Sequence, residues 1–166
     1  MARYIEISLD KRGVTCVAQL LDDLAPRTCE AIWKALPVGS DAYHGKYARN
    51  EIYTLVQAFA DPEPGAENTT ITPIPGDLCY FSFPKAEIAT PSHGYGTSEE
   101  PYKADRIVDL ALFYERNNLL LNPDSGFVPG NVFATITQGL ADMREASEDL
   151  WKRGVEGETL TLRRKE

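Results

Sequence analysis

Alternating apolar and polar residues predict β-strands at both ends of the chain. Near the start, Ile5, Ile7 and Leu9 share one face, and residues 14–20 repeat the pattern after a turn at residues 10–13. Near the end, residues 158–164 alternate again. The first two segments predict a β-hairpin, and the last predicts a closing strand.

Two segments instead have the spacing of one-sided helices. The first begins near Pro26 and stops before Pro37, and the acidic Asp22 and Asp23 precede it. The second covers about residues 140–153 and is followed by Gly154. We expect the apolar stripes of both helices to be buried: Cys29, Ile32, Trp33 and Leu36 in the first, and Leu140, Met143, Ser147, Leu150 and Trp151 in the second.

The middle of the chain predicts further strands. Residues 42–56 are rich in Tyr and β-branched residues and are interrupted at residues 48–50, which is typical of a hairpin. Shorter strands are predicted at residues 69–72, 78–83, 108–115 and 132–137, and residues 84–106 and 117–130 predict long polar connections. About eight strands with two helices that do not alternate with them favour a mostly β fold, a closed, mainly antiparallel barrel formed by one domain over residues 1–166.

Composition narrows the class of protein. Of the 166 residues, 43% are apolar and 25% charged, which is typical of a globular domain. The net charge of −8 argues against nucleic acid and anionic membranes as partners. The chain shows neither a signal peptide nor a membrane-spanning stretch, and its three cysteines cannot form a complete disulfide framework, so we expect a cytoplasmic protein.

Several local motifs carry a resemblance to a known family. Residues 24–30 read LAPRTCE, similar to the Ala-Pro-Lys-Thr-Val-Glu opening of the first cyclophilin helix. Residues 35–37 (ALP), 51–53 (EIY) and 75–80 (PGDLCY) resemble the small bacterial cyclophilin-like proteins of unknown function. The resemblance covers most of the chain and implies a cyclophilin-like barrel with two helices.

The same comparison argues against prolyl isomerase activity. Cyclophilin isomerases carry a Phe-His-Arg segment after the first helix and a Gln-Gly-Gly-Asp segment beyond it, and this chain has neither. His44 and Arg49 occur in the corresponding region in a different order and spacing, so Arg49 does not match the catalytic arginine. We therefore predict a protein that is not an isomerase, and more a binding protein than an enzyme.

Two groups of residues are candidates for a ligand site. The first is the aromatic and polar cluster on the second hairpin, which includes Tyr43, His44, Arg49, Glu51 and Tyr53. The alternative for this cluster is ordinary packing of the barrel wall. The second candidate group is Tyr114 and Arg116, where a guanidinium beside Asn117 and Asn118 could hold a carboxylate. Its alternative is a turn at the end of a strand.

His93 is a third candidate, because glycines flank the neighbouring Tyr95 and would allow the segment to close over a pocket. His44, His93 and Glu51 lack the compact spacing of metal ligands, so we expect no metal and no cofactor.

The leading functional hypothesis is binding of a small polar carboxylate or amide metabolite, or of a protein partner. The alternatives are an enzyme acting on a small amide or carboxylate, and a residual prolyl isomerase. Apolar residues 119–121 add the hypothesis of a homo-oligomer contact.

Overall fold

The computed structural model describes residues 1–87 and 99–166, and β-strands dominate this part of the chain. The strands are β1 Tyr4–Leu9, β2 Val14–Leu20, β3 Val38–His44, β4 Glu51–Gln57, β5 Thr69–Thr70, β6 Asp77–Pro84, β7 Arg106–Phe113, β8 Leu121–Asn122, β9 Gly126–Phe127, β10 Gly130–Gln138 and β11 Thr159–Arg164. The helices are α1 Pro26–Ala35 and α2 Leu140–Arg153, with two 3-10 turns at Lys85–Glu87 and Glu100–Lys103.

Eight of these strands close into a barrel. Their order is β2-β1-β11-β3-β4-β7-β6-β10, and β10 pairs with β2 to complete the circle. Every pairing is antiparallel. The predicted closed barrel of about eight antiparallel strands with two helices is confirmed. The predicted closing strand is β11, which lies between β1 and β3.

The barrel has an apolar interior and, on one side, an apolar exterior. The interior cluster includes Ile7 of β1 and Leu110 and Leu112 of β7. A second cluster, which includes Phe81 and Phe113, lies on the outer face of β4, β6 and β7. Loops cover that outer face, so β4 is buried on both sides along almost its whole length.

Helix α1 is capped by a residue distant in sequence. Pro26 occupies an early position, where its missing N–H costs nothing. The carboxylate of Glu67 accepts hydrogen bonds from the backbone N–H groups of Arg27 (3.1 Å) and Thr28 (2.7 Å) and from the Thr28 hydroxyl (2.8 Å). Glu67 therefore places a negative charge at the N-terminus of α1, where the helix dipole favours it.

Helix α2 packs against β2 and β3. Met143, Ser147 and Leu150 of its predicted stripe are buried, but Trp151 is 59% exposed. The prediction that Trp151 is a core residue was therefore wrong: it lies at the edge of the buried stripe, where its ring contacts the barrel on one side only. No helix in the described ranges is both long and apolar enough to cross a membrane.

The connections hold more structure than their composition predicts. Residues 117–130 contain the β8–β9 hairpin, whose strands have only two residues each. Leu120 is buried, whereas Leu119 and Leu121 are each 40% exposed, and the oligomer contact there stays a prediction. Cys16, Cys29 and Cys79 are buried free thiols, as expected for core residues.

Candidate functional site

The β3–β4 hairpin sends its predicted site residues to two different sides of the barrel wall. Tyr43 pairs with Tyr53, and both face outward, with ring centroids 5.4 Å apart. His44 pairs with Ile52, a residue of the interior cluster. Because successive side chains of a strand point to opposite faces, one continuous site cannot include both sets.

A cavity of about 360 Å³ lies on the outer face of the barrel. Its floor is formed by outward residues of β4, β6 and β7: Glu51, Tyr53, Leu55, Phe81, Phe83 and Asp109. Its rim comes from residues 45–48 after β3 and from the segment that contains the β8–β9 hairpin. This volume is within the range of small-molecule sites, and the walls are mainly apolar and aromatic, which is typical of such sites.

Glu51 places a buried carboxyl group at this cavity. It begins β4 and is only 8% exposed. A Cβ added at Gly45 would stand 2.6 Å from the Glu51 Oε1, so the glycine leaves room for the carboxyl. No hydrogen bond or ion pair of this carboxyl is found within the described residues. Burial raises the pKa of Glu51 to about 8, which leaves the group largely protonated at neutral pH.

Asp109 is a second acid on the same floor. It lies on β7, opposite Leu55 of β4 and Phe81 of β6. The residue is partly exposed, but its Oδ1 is buried and has no hydrogen-bond partner in the described ranges. Burial, and then the charge of Glu51, raise the pKa of Asp109 well above its usual value. The two acids therefore disfavour each other's ionisation.

This arrangement has a defined chemical capacity. A protonated carboxylic acid donates a hydrogen bond, and an ionised one accepts hydrogen bonds and attracts a cation. Phe81 and Phe83 stack with centroids 6.0 Å apart and offer an aromatic wall beside the acids. The cavity can therefore bind a small ligand through one polar group and an apolar body, or exchange a proton with it.

His44 and Tyr114 form a separate buried pair beside α2. The His44 Nδ1 lies 2.8 Å from the Gly45 carbonyl oxygen, which can only accept, so Nδ1 carries the proton. The Nε2 then accepts a hydrogen bond from the Tyr114 hydroxyl at 2.6 Å. Burial lowers the pKa of His44 and raises that of Tyr114 to about 12, so both groups are neutral near pH 7. The ring of Trp151 lies over the imidazole, with centroids 4.8 Å apart.

A family model described as "Protein of unknown function (DUF3830)" matches residues 7–162, nearly the whole chain. The chain belongs to this DUF3830 family. No curated protein matches it.

Two solved structures show the fold of this DUF3830 chain. The crystal structure of the Mimivirus cyclophilin matches with a TM-score of 0.53 at 12% identity, over 98% of this chain and 87% of that one. The structure of McbB in complex with tryptophan matches with a TM-score of 0.62 at 20% identity, over 97% of this chain. This chain spans only 44% of McbB. The resemblance to cyclophilins is thus confirmed at the level of the fold.

The predicted site residues of the DUF3830 barrel fall into three places. Glu51 and Tyr53 line the cavity, and Tyr43 packs beside them. His44 and Tyr114 form the pair under α2. His93 lies outside the described residues. No cluster of three or more metal-ligating side chains is found in the part of the chain that the structure describes.

The two predicted arginines do not line the cavity. Arg49 is exposed at the tip of the β3–β4 loop, with a left-handed φ of 68°, and Arg116 is exposed on the loop after β7. The two loops are nevertheless joined. The side chain of Asn118 accepts from the Asn50 N–H at 3.1 Å and donates to the Pro73 carbonyl at 2.9 Å, so its role is to hold loops together.

Most residues of the cavity floor were not predicted from the sequence. Asp109 is the main omission, and it is the one charged residue within the apolar run 107–113. A single acid in a strand that is apolar on both faces was a usable signal, because burying a carboxyl group without a partner costs free energy. Phe81 and Phe83 carried no comparable signal, since aromatic residues are common in strands.

Proposed function

We propose that this chain is a small-molecule binding protein whose ligand occupies the outer-face cavity. The main support is Glu51, a buried carboxyl without a partner in the described residues, at the floor of a cavity with aromatic walls. The interior of this barrel is filled with apolar side chains, whereas the outer face holds a cavity with aromatic walls. The ligand class that fits has an apolar body and one polar group facing the acids.

A matched pair of substitutions at the rim tests where ligands bind. Ser125 is exposed and lines the cavity, whereas the adjacent Asp124 is exposed and does not. Ser125→Trp should fill the mouth of the cavity, and Asp124→Trp should leave it open. Neither change removes a core contact.

The experiment is a thermal-shift screen with small aromatic and aliphatic amines, amides, carboxylates, prolyl peptides and tryptophan. Tryptophan is included because McbB was solved in complex with it. A ligand at a hundred times its Kd should raise the melting temperature by about 5 to 10 °C. The shift should be lost in Ser125→Trp and kept in Asp124→Trp. No shift from any class, or equal shifts in both variants, would contradict the proposal.

An enzyme acting on a small amide or carboxylate is the second candidate. The raised pKa of Glu51 favours it, because a general acid or base works best when its pKa is near the working pH. His44 does not support it, since the imidazole belongs to the other side of the barrel wall. Incubation with primary amides, followed by NMR for the carboxylate product, tests this candidate. Turnover that survives Glu51→Gln would exclude Glu51 as the catalytic group.

The residual prolyl isomerase gains no support from the described lining of the cavity, which contains no arginine. Catalysis of cis–trans exchange in a prolyl peptide would be needed to revive it.

A further inference from the structure

We infer that the ligand of the outer-face cavity carries a protonated amine, which ion-pairs with Glu51 and Asp109 and displaces a proton from them to solvent. This inference rests on the proposed binding function and specifies the chemical class of the ligand.

The hydrogen-bond acceptors on the cavity floor favour a ligand that donates hydrogen bonds. The Oδ1 of Asp109 is buried and has no donor among the described residues, and no hydrogen bond to the carboxyl of the buried Glu51 is found among them. A buried acceptor without a donor costs free energy comparable to a lost hydrogen bond. An ammonium group carries three donors, so it can serve both acids where a single hydroxyl cannot.

The charged groups of the cavity lining favour a cationic ligand. The two acids share one floor, and Glu87 adds a further carboxyl. Among the described residues of the lining, the one cationic side chain is that of the rim residue Lys46. An anionic ligand would be repelled by a carboxylate on this floor. The two acids disfavour each other's ionisation, and an ammonium group bound beside them would favour the carboxylate form of both.

The aromatic walls of the cavity also suit a cation with an apolar body. Tyr53, Phe81 and Phe83 present aromatic surface beside the acids. Aromatic faces attract cations and also bury an apolar body, so an amine with an aromatic or aliphatic body suits both parts of the cavity. The titratable groups of the described residues that face the acid pair are Lys46, Tyr47, Tyr53, Cys79 and Glu87. Burial raises the pKa of the Cys79 thiol well above its usual value, so it stays neutral.

The reaction is a balanced proton exchange. Before binding, the proton is held on a carboxyl oxygen of the pair. On binding, the O–H bond breaks, the proton passes to solvent buffer, and the carboxylate accepts N–H hydrogen bonds from the ammonium. The affinity for an amine should therefore rise with pH, by up to about tenfold per unit, until the acids ionise in the empty site.

The test uses three probes that differ only in the polar group: phenethylamine, hydrocinnamamide and hydrocinnamate. Each is titrated calorimetrically at neutral pH in phosphate and in Tris, whose ionisation heats differ, so the number of protons exchanged is measured directly. We expect phenethylamine to bind most tightly and to release up to one proton. In Glu51→Gln its affinity should fall at least tenfold, and the released proton should be lost. Asp109→Asn is the second variant, and it should also weaken the amine.

The outcomes separate this inference from the proposed function. Tighter binding of hydrocinnamate with proton uptake, or of hydrocinnamamide with no proton exchange, would overturn the amine class and leave the cavity as a binding site. Amine binding without proton release that is unchanged in both variants would also overturn it. If none of the three probes binds and the thermal-shift screen shows no ligand, both the amine inference and the proposed binding function would be overturned.

Discussion

Replacing Glu51 by glutamine should stabilise the protein above neutral pH and change little near pH 5. The unfolded carboxyl has an ordinary pKa near 4.5, whereas the folded one has a pKa of about 8. Between these values the folded state holds a proton that the unfolded state has released. Stability therefore falls as pH rises through this window, and the loss is complete above about pH 8. Glutamine has nearly the same shape and does not titrate, so the variant lacks this loss.

The magnitude follows from the separation of the two pKa values. It corresponds to about 5 kcal/mol if the whole difference is expressed in the free energy of unfolding. Relaxation around the cavity and coupling to Asp109 reduce the measured effect, so we expect the variant to be more stable by about 2 to 4 kcal/mol at pH 9. At pH 5 the two proteins should differ by less than about 1 kcal/mol.

Urea unfolding followed by tryptophan fluorescence, repeated from pH 5 to pH 9, measures this difference. Glu145→Gln is the control, since Glu145 is exposed on α2 and its removal changes the net charge equally. The control should follow the native pH profile. If the profile of Glu51→Gln also parallels that of the native protein, Glu51 is not the buried acid described above.

Three further substitutions test other contacts. Gly45→Ala should lower the free energy of unfolding by about 1 to 3 kcal/mol, because its Cβ would crowd the Glu51 carboxyl; an unchanged melting temperature would contradict this. Tyr114→Phe should cost about 1 to 3 kcal/mol in urea unfolding by leaving the His44 Nε2 without its donor, and a neutral result would show that water replaces the hydroxyl. Glu67→Gln should cost about 1 to 2 kcal/mol at pH 7 through the weakened helix cap. Burial raises the pKa of Glu67, but the hydrogen bonds from Thr28 and Arg27 together outweigh it and lower the pKa below the ordinary value of 4.5. Its contribution is therefore lost as pH falls, and the two proteins should converge in acid; a constant difference would show that the carboxylate charge does not stabilise the helix.

The barrel could be predicted from sequence because its strands carry local signals. Strands β1 and β2 can be recognised without the rest of the chain, from the alternation through Ile5, Ile7 and Leu9 and from the turn that follows. The β8–β9 hairpin could not be predicted in the same way. Strands of two residues have no measurable period, and Leu120 is held there by its packing against the outer face of the barrel.

The site was only partly predictable for a related reason. Glu51 and Tyr53 share a strand, so their common face follows from the period of two. Asp109 joins them only through the pairing of β4 with β7, which are separated by about fifty residues of sequence. Register between distant strands depends on the whole sheet, and a one-residue slip would turn Asp109 to the interior. The Glu67 cap of α1 depends on tertiary contact in the same way.

The outer face also explains why the buried Glu51 and the partly buried Asp109 can persist in a stable barrel. Inside the barrel, an unpaired carboxyl would be surrounded by apolar side chains on all sides, and its cost could not be relieved. On the outer face, Glu51 and Asp109 border a cavity, so in the proposed binding the same groups that destabilise the free protein would become favourable contacts with the ligand. The energetic cost of the acids and their proposed role in binding are thus two aspects of one arrangement, and a substitution that removes the cost should remove the binding as well.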